Sequence, residues 1–121
     1  MALSVDVSRT EDIAVAQCRG RIVFGEEADE LRRVILGLFN ETKRIVLVFA
    51  WIERIDSSGL ATLVASFVSA RHRGTEIKFA VVPPMVRQVL SATRLDRIFE
   101  IYDCAEDAIN SFHRHPEAAA G

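Results

Sequence analysis

The chain is poor in the residues that mark several protein classes. Its two cysteines, Cys18 and Cys104, are far apart in a sequence of 121 residues and form no CxxC pair, which argues against a disulfide framework and against a zinc or redox motif. Three prolines and six glycines are too few for a low-complexity or disordered chain. We therefore expect a single globular domain from a reducing compartment, the cytoplasm.

Long hydrophobic runs and an excess of positive charge are also missing. The longest apolar run, residues 45–52, is much shorter than the roughly 20 residues of a membrane-spanning helix. The first residues lack the basic flank and apolar stretch of a signal peptide, so no secretion signal is expected. The formal net charge is −2 with scattered basic residues, so we expect neither nucleic-acid binding nor membrane insertion.

The first half of the chain alternates between strand and helix patterns. Residues 3–8 alternate apolar and polar, as a half-exposed strand does, and residues 13–18 predict an antiparallel partner that ends near Gly20. Residues 26–40 have helical spacing and an acidic first turn. The continuous apolar run at 45–52 is typical of a strand buried on both faces. The predicted core stripe of the helix is Ala28, Leu31, Ile35, Leu38 and Phe39.

The second half repeats the alternation. A helix with its end at Gly74 is predicted by an apolar stripe of Leu60, Leu63, Val64, Phe67 and Val68. It is followed by a predicted strand at residues 77–82 and a short helix opened by a proline pair. An edge strand at 98–102 and a last helix capped by Asp103 complete the pattern. The order β-β-α-β-α-β-α-β-α predicts an α/β domain over residues 1–112. We expect a mixed, mainly parallel sheet of four to five strands with about four helices, a flexible tail at 113–121, and a free edge strand that suits a homodimer.

The segment Ile-Asp-Ser-Ser-Gly-Leu at residues 55–60 joins the most apolar strand to the clearest helix. Asp56 or Ser57 can cap backbone N–H groups at the start of that helix, and Gly59 removes bulk from its first turn. Taken alone, the residues of this segment are explained by helix capping and indicate no further function.

Its context resembles the STAS domain, and within that family the stand-alone anti-sigma-factor antagonists of bacteria. The resemblance rests on the Asp-Ser-Ser-Gly-Leu step, the basic pair before the apolar strand, and Gly20 after the second strand. It also includes Leu-Asp-Arg-Ile-Phe-Glu-Ile-Tyr at 95–102 and Ala-Glu-Asp-Ala at 105–108, so that it covers nearly the whole chain.

The resemblance implies a STAS fold and a function in protein binding without catalysis. It implies that Ser58, the serine directly before the glycine, is phosphorylated by the partner anti-sigma factor, a serine kinase, and dephosphorylated by a serine phosphatase. We expect the unphosphorylated chain to sequester the kinase and thereby release a sigma factor. The candidate partner-binding residues are Asp56, Ser57, Ser58, Gly59, Leu60, Trp51 and Ile52, of which Trp51 and Ile52 also suit the core.

Some positions depart from the family pattern. An aspartate is common in the family where this chain has Val23 and Val48, and a glycine is common where it has Arg94. An alternative function therefore stays open: a constitutive STAS subunit of a transporter complex or signalling scaffold, without a phosphorylation switch.

Catalysis, cofactors and metals are not expected. The serines lie in no Gly-x-Ser-x-Gly motif and no histidine stands in a base position. His113 and His115 lack the carboxylates or cysteines of a metal site. Cys104 is placed near the start of the last helix, where either a reactive thiol or an inert side chain is compatible with the pattern.

Overall fold

The structure, a computed structural model, describes residues 3–120, with side chains described as far as His113. The strands are β1 (Ser4–Thr10), β2 (Ile13–Ile22), β3 (Arg44–Ile55), β4 (Glu76–Ala80) and β5 (Glu100–Tyr102). The helices are α1 (Glu26–Phe39), α2 (Ser57–Arg73), α3 (Pro84–Ala92) and α4 (Ala105–Ala120), with a 3₁₀ turn at Leu95–Arg97. The predicted element order is confirmed.

The strands form one sheet in the order β1-β2-β3-β4-β5. β1 is antiparallel to β2, with Ser4 opposite Arg19 and Thr10 opposite Ile13, and the other neighbours are parallel. The predicted α/β fold with a mainly parallel sheet and an antiparallel first strand is thereby confirmed. The carboxyl ends of β2, β3 and β4 meet at one edge of the sheet, where the loops that follow them lie together.

Each face of the sheet has its own apolar core because side chains alternate along a strand. On one face, side chains such as Ile45 and Leu47 pack with α1, α2 and α3. On the other face, Val46 and Val48 pack under α4 against Phe112. β3 is therefore buried on both faces, as its unbroken apolar run predicts. Burial of each such side chain contributes about 1.5–3 kcal/mol.

Helices α1 and α2 differ in how much of their apolar stripes they bury. The apolar stripe predicted for α1 is the set of residues that this helix buries. In α2 the buried residues include Leu63 and Ala70, but Val64 and Val68 are exposed. The stripe predicted the helix itself, which the structure has, but α2 has a neighbour on only part of its apolar surface and leaves these two valines exposed.

Other boundaries also differ from prediction. β2 continues through Gly20, whose φ of 108° and adjacent register shift let the strand bend without ending. Cys104, one residue later than the predicted Asp103, precedes α4, and its Sγ accepts a hydrogen bond from the N–H of Asp107 at 3.4 Å. Helix α4 runs past residue 112 to Ala120; the flexibility of the tail stays a prediction, and Gly121 lies outside the described residues.

Arg94 has left-handed backbone geometry. Its φ is 63° and its ψ 16°, at the residue that opens the 3₁₀ turn. A side chain in this conformation costs about 1–2 kcal/mol, whereas glycine adopts it freely. This is the physical reason why glycine suits the position.

We predict that Arg94→Gly stabilises the fold by about 1 kcal/mol, because the relief of strain exceeds the extra entropy of the unfolded chain. Urea unfolding of the two proteins measures the difference. Arg97→Gly, at an exposed position in the same turn without positive φ, is the control and should be destabilising. Equal losses for both variants would contradict the account.

Candidate functional site

The carboxylate of Asp56 binds two separate segments at the carboxyl edge of the sheet. Its Oδ1 accepts a hydrogen bond from the N–H of Gly59 at 3.0 Å, which caps the start of α2. Its Oδ2 accepts one from the N–H of Phe24 at 3.0 Å, in the loop between β2 and α1. One side chain therefore fixes both the start of α2 and the loop beside it.

These hydrogen bonds also favour the ionised form of Asp56. The N–H groups of Gly59 and then Phe24 hold its pKa below the usual value, and the Ser58 N–H and the charge of Arg54 act in the same direction. Partial desolvation opposes them without outweighing them. A fixed negative charge consequently lies next to the two serines at neutral pH.

Gly59 is required by the close approach of α2 to β2. A Cβ atom at this position would lie 2.1 Å from the carbonyl oxygen of Ile22 and 2.8 Å from Cγ1 of Ile55. The same Ile22 oxygen accepts a hydrogen bond from the N–H of Asp56 at 3.3 Å. Gly59 is therefore buried and structural, and it offers little surface to a partner.

The two serines are the accessible part of the segment. Ser57 is exposed and Ser58 is half-exposed on the first turn of α2. Leu60, the next predicted site residue, is half-buried and packs against the main core. The structure thus brings Asp56, Ser57 and Ser58 together at the surface, with Gly59 and Leu60 beneath them.

Trp51 and Ile52 point to opposite faces of the sheet, as neighbours on a strand do, and an irregularity in β3 determines which of them faces the main core. Between the pairs Val48–Gln17 and Trp51–Arg19, β3 contains one more residue than β2. This shift turns Ile52 into the main core, where it is 4% exposed, and leaves Trp51 60% exposed. The core interpretation therefore fits Ile52, and of the two only Trp51 is accessible to a partner.

Phe24 is a surface residue that the sequence pattern did not single out. Its ring is 80% exposed although its N–H is held by Asp56. The sequence did contain a signal for an exposed ring: Phe24 is an aromatic residue that belongs to neither of the neighbouring apolar patterns. It directly precedes Gly25, whose φ of 104° marks the turn into α1. We call Phe24, Asp56, Ser57 and Ser58 the serine face.

The two valines that depart from the family pattern have different surroundings. Val48 is 3% exposed and lies in the core under α4, on the face of the sheet opposite α2. Val23 is half-buried, and its carbonyl accepts a hydrogen bond from the N–H of Ala28 at the start of α1. Val48 therefore serves apolar packing in this chain.

The other candidate reactive groups lie away from the serine face. His72 lies in the same helix as Ser58, about 21 Å away along the helix axis at 1.5 Å per residue. His113 pairs with Glu11, in the turn between β1 and β2, at 3.0 Å. Burial raises the pKa of the Cys18 thiol to about 12, which makes it inert. Within the described residues, no three His, Cys, Asp or Glu side chains are grouped to hold a metal; the His115 side chain lies outside them.

Comparison with known proteins establishes the family. The model of the STAS domain matches residues 4–108, so the chain belongs to the STAS domain family. A protein of Thermotoga maritima, provisionally named an anti-sigma factor antagonist, is 40% identical over 73 residues. That match covers 59% of this chain and 63% of the length of the relative.

Solved structures agree over more of the chain. The crystal structure of a provisionally named anti-sigma factor antagonist of Thermotoga maritima has a TM-score of 0.84 and 26% identity, with 91% of this chain and 95% of that one covered. The Bacillus cell fate determinant SpoIIAA, in its phosphorylated form, has a TM-score of 0.71 at 16% identity over 90% and 99% of the two chains, a likeness of fold. In the part of the chain that is described, no helix combines the length and apolar character needed to cross a membrane.

We predict that Gly59→Ala destabilises the protein by about 3 kcal/mol, because the new methyl group must push α2 away from the β2 backbone. Gly37→Ala is the matched control: a Cβ at this position in α1 meets no atom within 4 Å, so the change should stabilise by about 1 kcal/mol. Urea unfolding measures both. A loss below about 1 kcal/mol for Gly59→Ala would show that the contact is easily relaxed.

A second prediction concerns pH. Because the folded pKa of Asp56 lies below the unfolded value of about 3.9, its stabilisation is fully present above that value and is lost as pH falls through the folded pKa. Asp56→Asn can still cap Gly59 but offers no second acceptor to Phe24. The stability difference between wild type and Asp56→Asn, from thermal unfolding, should be constant near neutral pH and shrink below about pH 4. A difference that grows in acid would contradict this role.

Proposed function

We propose that the protein is an anti-sigma-factor antagonist, a non-catalytic binding module that sequesters a serine-kinase anti-sigma factor while Ser58 is unphosphorylated. The observation that carries the proposal is the serine face, where Ser58 is half-exposed beside a fixed carboxylate and the exposed ring of Phe24. Membership of the STAS family and similarity to anti-sigma factor antagonists support it.

A phosphate on Ser58 would alter the surface and leave the fold unchanged. The N–H of Gly59, which an anion at the start of α2 would otherwise bind, already donates to Asp56. The phosphate, with a charge of about −1.5 to −2 at neutral pH, would therefore stay on the outside of the helix, next to a second negative charge.

This change is large enough to release a partner. A surface fitted to Phe24 and a serine hydroxyl would have to desolvate a doubly charged group that its own contacts do not compensate. Moving binding from nearly complete to nearly absent takes about 5.5 kcal/mol of differential affinity. An uncompensated charge buried in an interface costs several kcal/mol or more, so one phosphate suffices.

The proposed partners are a serine-kinase anti-sigma factor and a serine phosphatase, which have opposite effects on Ser58. In the cytoplasm, the kinase would bind and modify the serine face, and a serine phosphatase would restore it. Trp51 in β3 and Met85, which follows β4, are further exposed apolar side chains. The chain itself would perform no reaction, since neither His72 nor His113 reaches Ser58.

We predict that protein isolated from its own cells carries one phosphate on Ser58. Intact mass spectrometry with peptide mapping should find it in the wild type and in Ser57→Ala but not in Ser58→Ala. Phosphate on Ser57, or none under any growth condition, would contradict the proposed site.

Binding provides the second test. The anti-sigma factor that co-purifies with Ser58→Ala is titrated against purified variants by calorimetry. Ser58→Asp should lose binding by at least about tenfold, because a charge enters the contact, while Ser57→Asp, one residue away and more exposed, should lose less. A partner that is not a kinase and binds Ser58→Asp normally would instead favour the constitutive STAS subunit.

A further inference from the structure

Helix α2 carries more apolar surface than the core uses. Val64 and Val68 are 36% and 47% exposed, and Ile98 faces them across a groove at 52% exposure. The groove has a volume of about 440 Å³ and runs between α2 and the segment around the 3₁₀ turn. Its apolar lining is formed by Val64, Phe67, Val68, Leu95, Ile98 and Phe99.

The charged and titratable residues that line this groove are all basic. Arg71 and His72 line one end, and no carboxylate is among the lining residues. The guanidinium of Arg71 lies over the ring of Phe67 at 5.9 Å, so its charge is held against the apolar lining. The groove therefore combines an apolar floor with positive charge at one end.

The walls of the groove indicate the form of its occupant. One wall is helix α2, and the other is the 3₁₀ turn with the two residues after it, Ile98 and Phe99, whose N–H groups donate to the carbonyl of Leu95. None of the residues that line the groove belongs to a strand, so an extended peptide bound there would leave its own N–H and C=O groups without a strand edge to pair with. A helix satisfies its backbone internally and can lay an apolar stripe into the groove.

We propose that this groove binds an amphipathic helix of a partner protein whose apolar stripe is flanked by acidic residues. The acidic flank would meet Arg71 and His72, and the stripe would cover Val64, Val68 and Ile98. A second copy packed through the same groove would bring basic residues together without a carboxylate among the lining residues to pair with them.

The groove is separate from the serine face. Val64, the α2 residue of the groove nearest to Ser58, lies about 9 Å from it along the helix axis at 1.5 Å per residue, and the groove lining includes no residue of the serine face. A partner helix could therefore stay bound in both phosphorylation states. The chain would then act as an adaptor that holds one protein at the groove and switches another at the serine face.

Two synthetic helical peptides of about 18 residues test the proposal, with leucine at i, i+4, i+7 and i+11 in both. One has glutamates flanking the leucines and the other has lysines. In NMR titrations with the full chain, the acidic peptide should shift the methyl signals of Val64, Val68 and Ile98 saturably. The basic peptide should bind at least about fivefold more weakly, the effect of roughly 1 kcal/mol of ion pairing.

Variants distinguish binding in the groove from binding elsewhere on the protein. Val68→Asp should abolish binding, while Ala65→Asp, at an exposed position of α2 outside the groove lining, should not. Arg71→Glu should reduce or reverse the preference for the acidic peptide. Ser58→Asp should leave peptide binding unchanged, which separates this surface from the serine face.

Several results would overturn the proposal. These are absence of saturable binding, equal affinity for the two peptides, or shifts confined to the serine face. Concentration-dependent self-association that Val68→Asp removes would assign the groove to a second copy of the chain. Thermal unfolding of each variant confirms that lost binding does not reflect a lost fold.

Discussion

The carboxylate of Asp56 and the bare Cα of Gly59 together hold α2 against the end of β2. Asp56 accepts hydrogen bonds from Gly59 and Phe24, and Gly59 lets the helix approach the Ile22 carbonyl more closely than any side chain would allow. This constraint places Ser58 on the surface next to an ionised group. The Asp-Ser-Ser-Gly sequence is thus at once a helix cap, a packing contact and the frame of the proposed switch.

The same helix connects two surfaces of opposite character. Its first turn lies beside the charge of Asp56, while its last turns present Arg71, His72 and Arg73. The helix dipole favours this arrangement at both ends. Because α2 is packed on the sheet along its length through Leu63 and Ala70, we expect a charge added at Ser58 to leave the position of the groove unchanged.

The sequence predicted those parts of the structure that local patterns control. The order of elements and the α1 stripe follow from periodicity, and residue chemistry limited the cap of α2 to Asp56 or Ser57, of which the structure uses Asp56. The exposure of Val64 and Val68 was not predictable, because their spacing equals that of core residues and only the missing neighbour exposes them. Which of Trp51 and Ile52 faces the core depends on a register shift, and the Phe24 contact joins residues 32 positions apart; no local pattern encodes either.

The central claim is that phosphorylation of Ser58 changes the surface and not the packing of α2. Amide hydrogen exchange of Phe24 and Gly59, in protein with genetically encoded phosphoserine at position 58, tests it most directly. The account predicts that both amides keep the protection of the unmodified protein while the partner no longer binds. Loss of protection at either amide would mean that the phosphate displaces Asp56, and that the switch works by opening the cap.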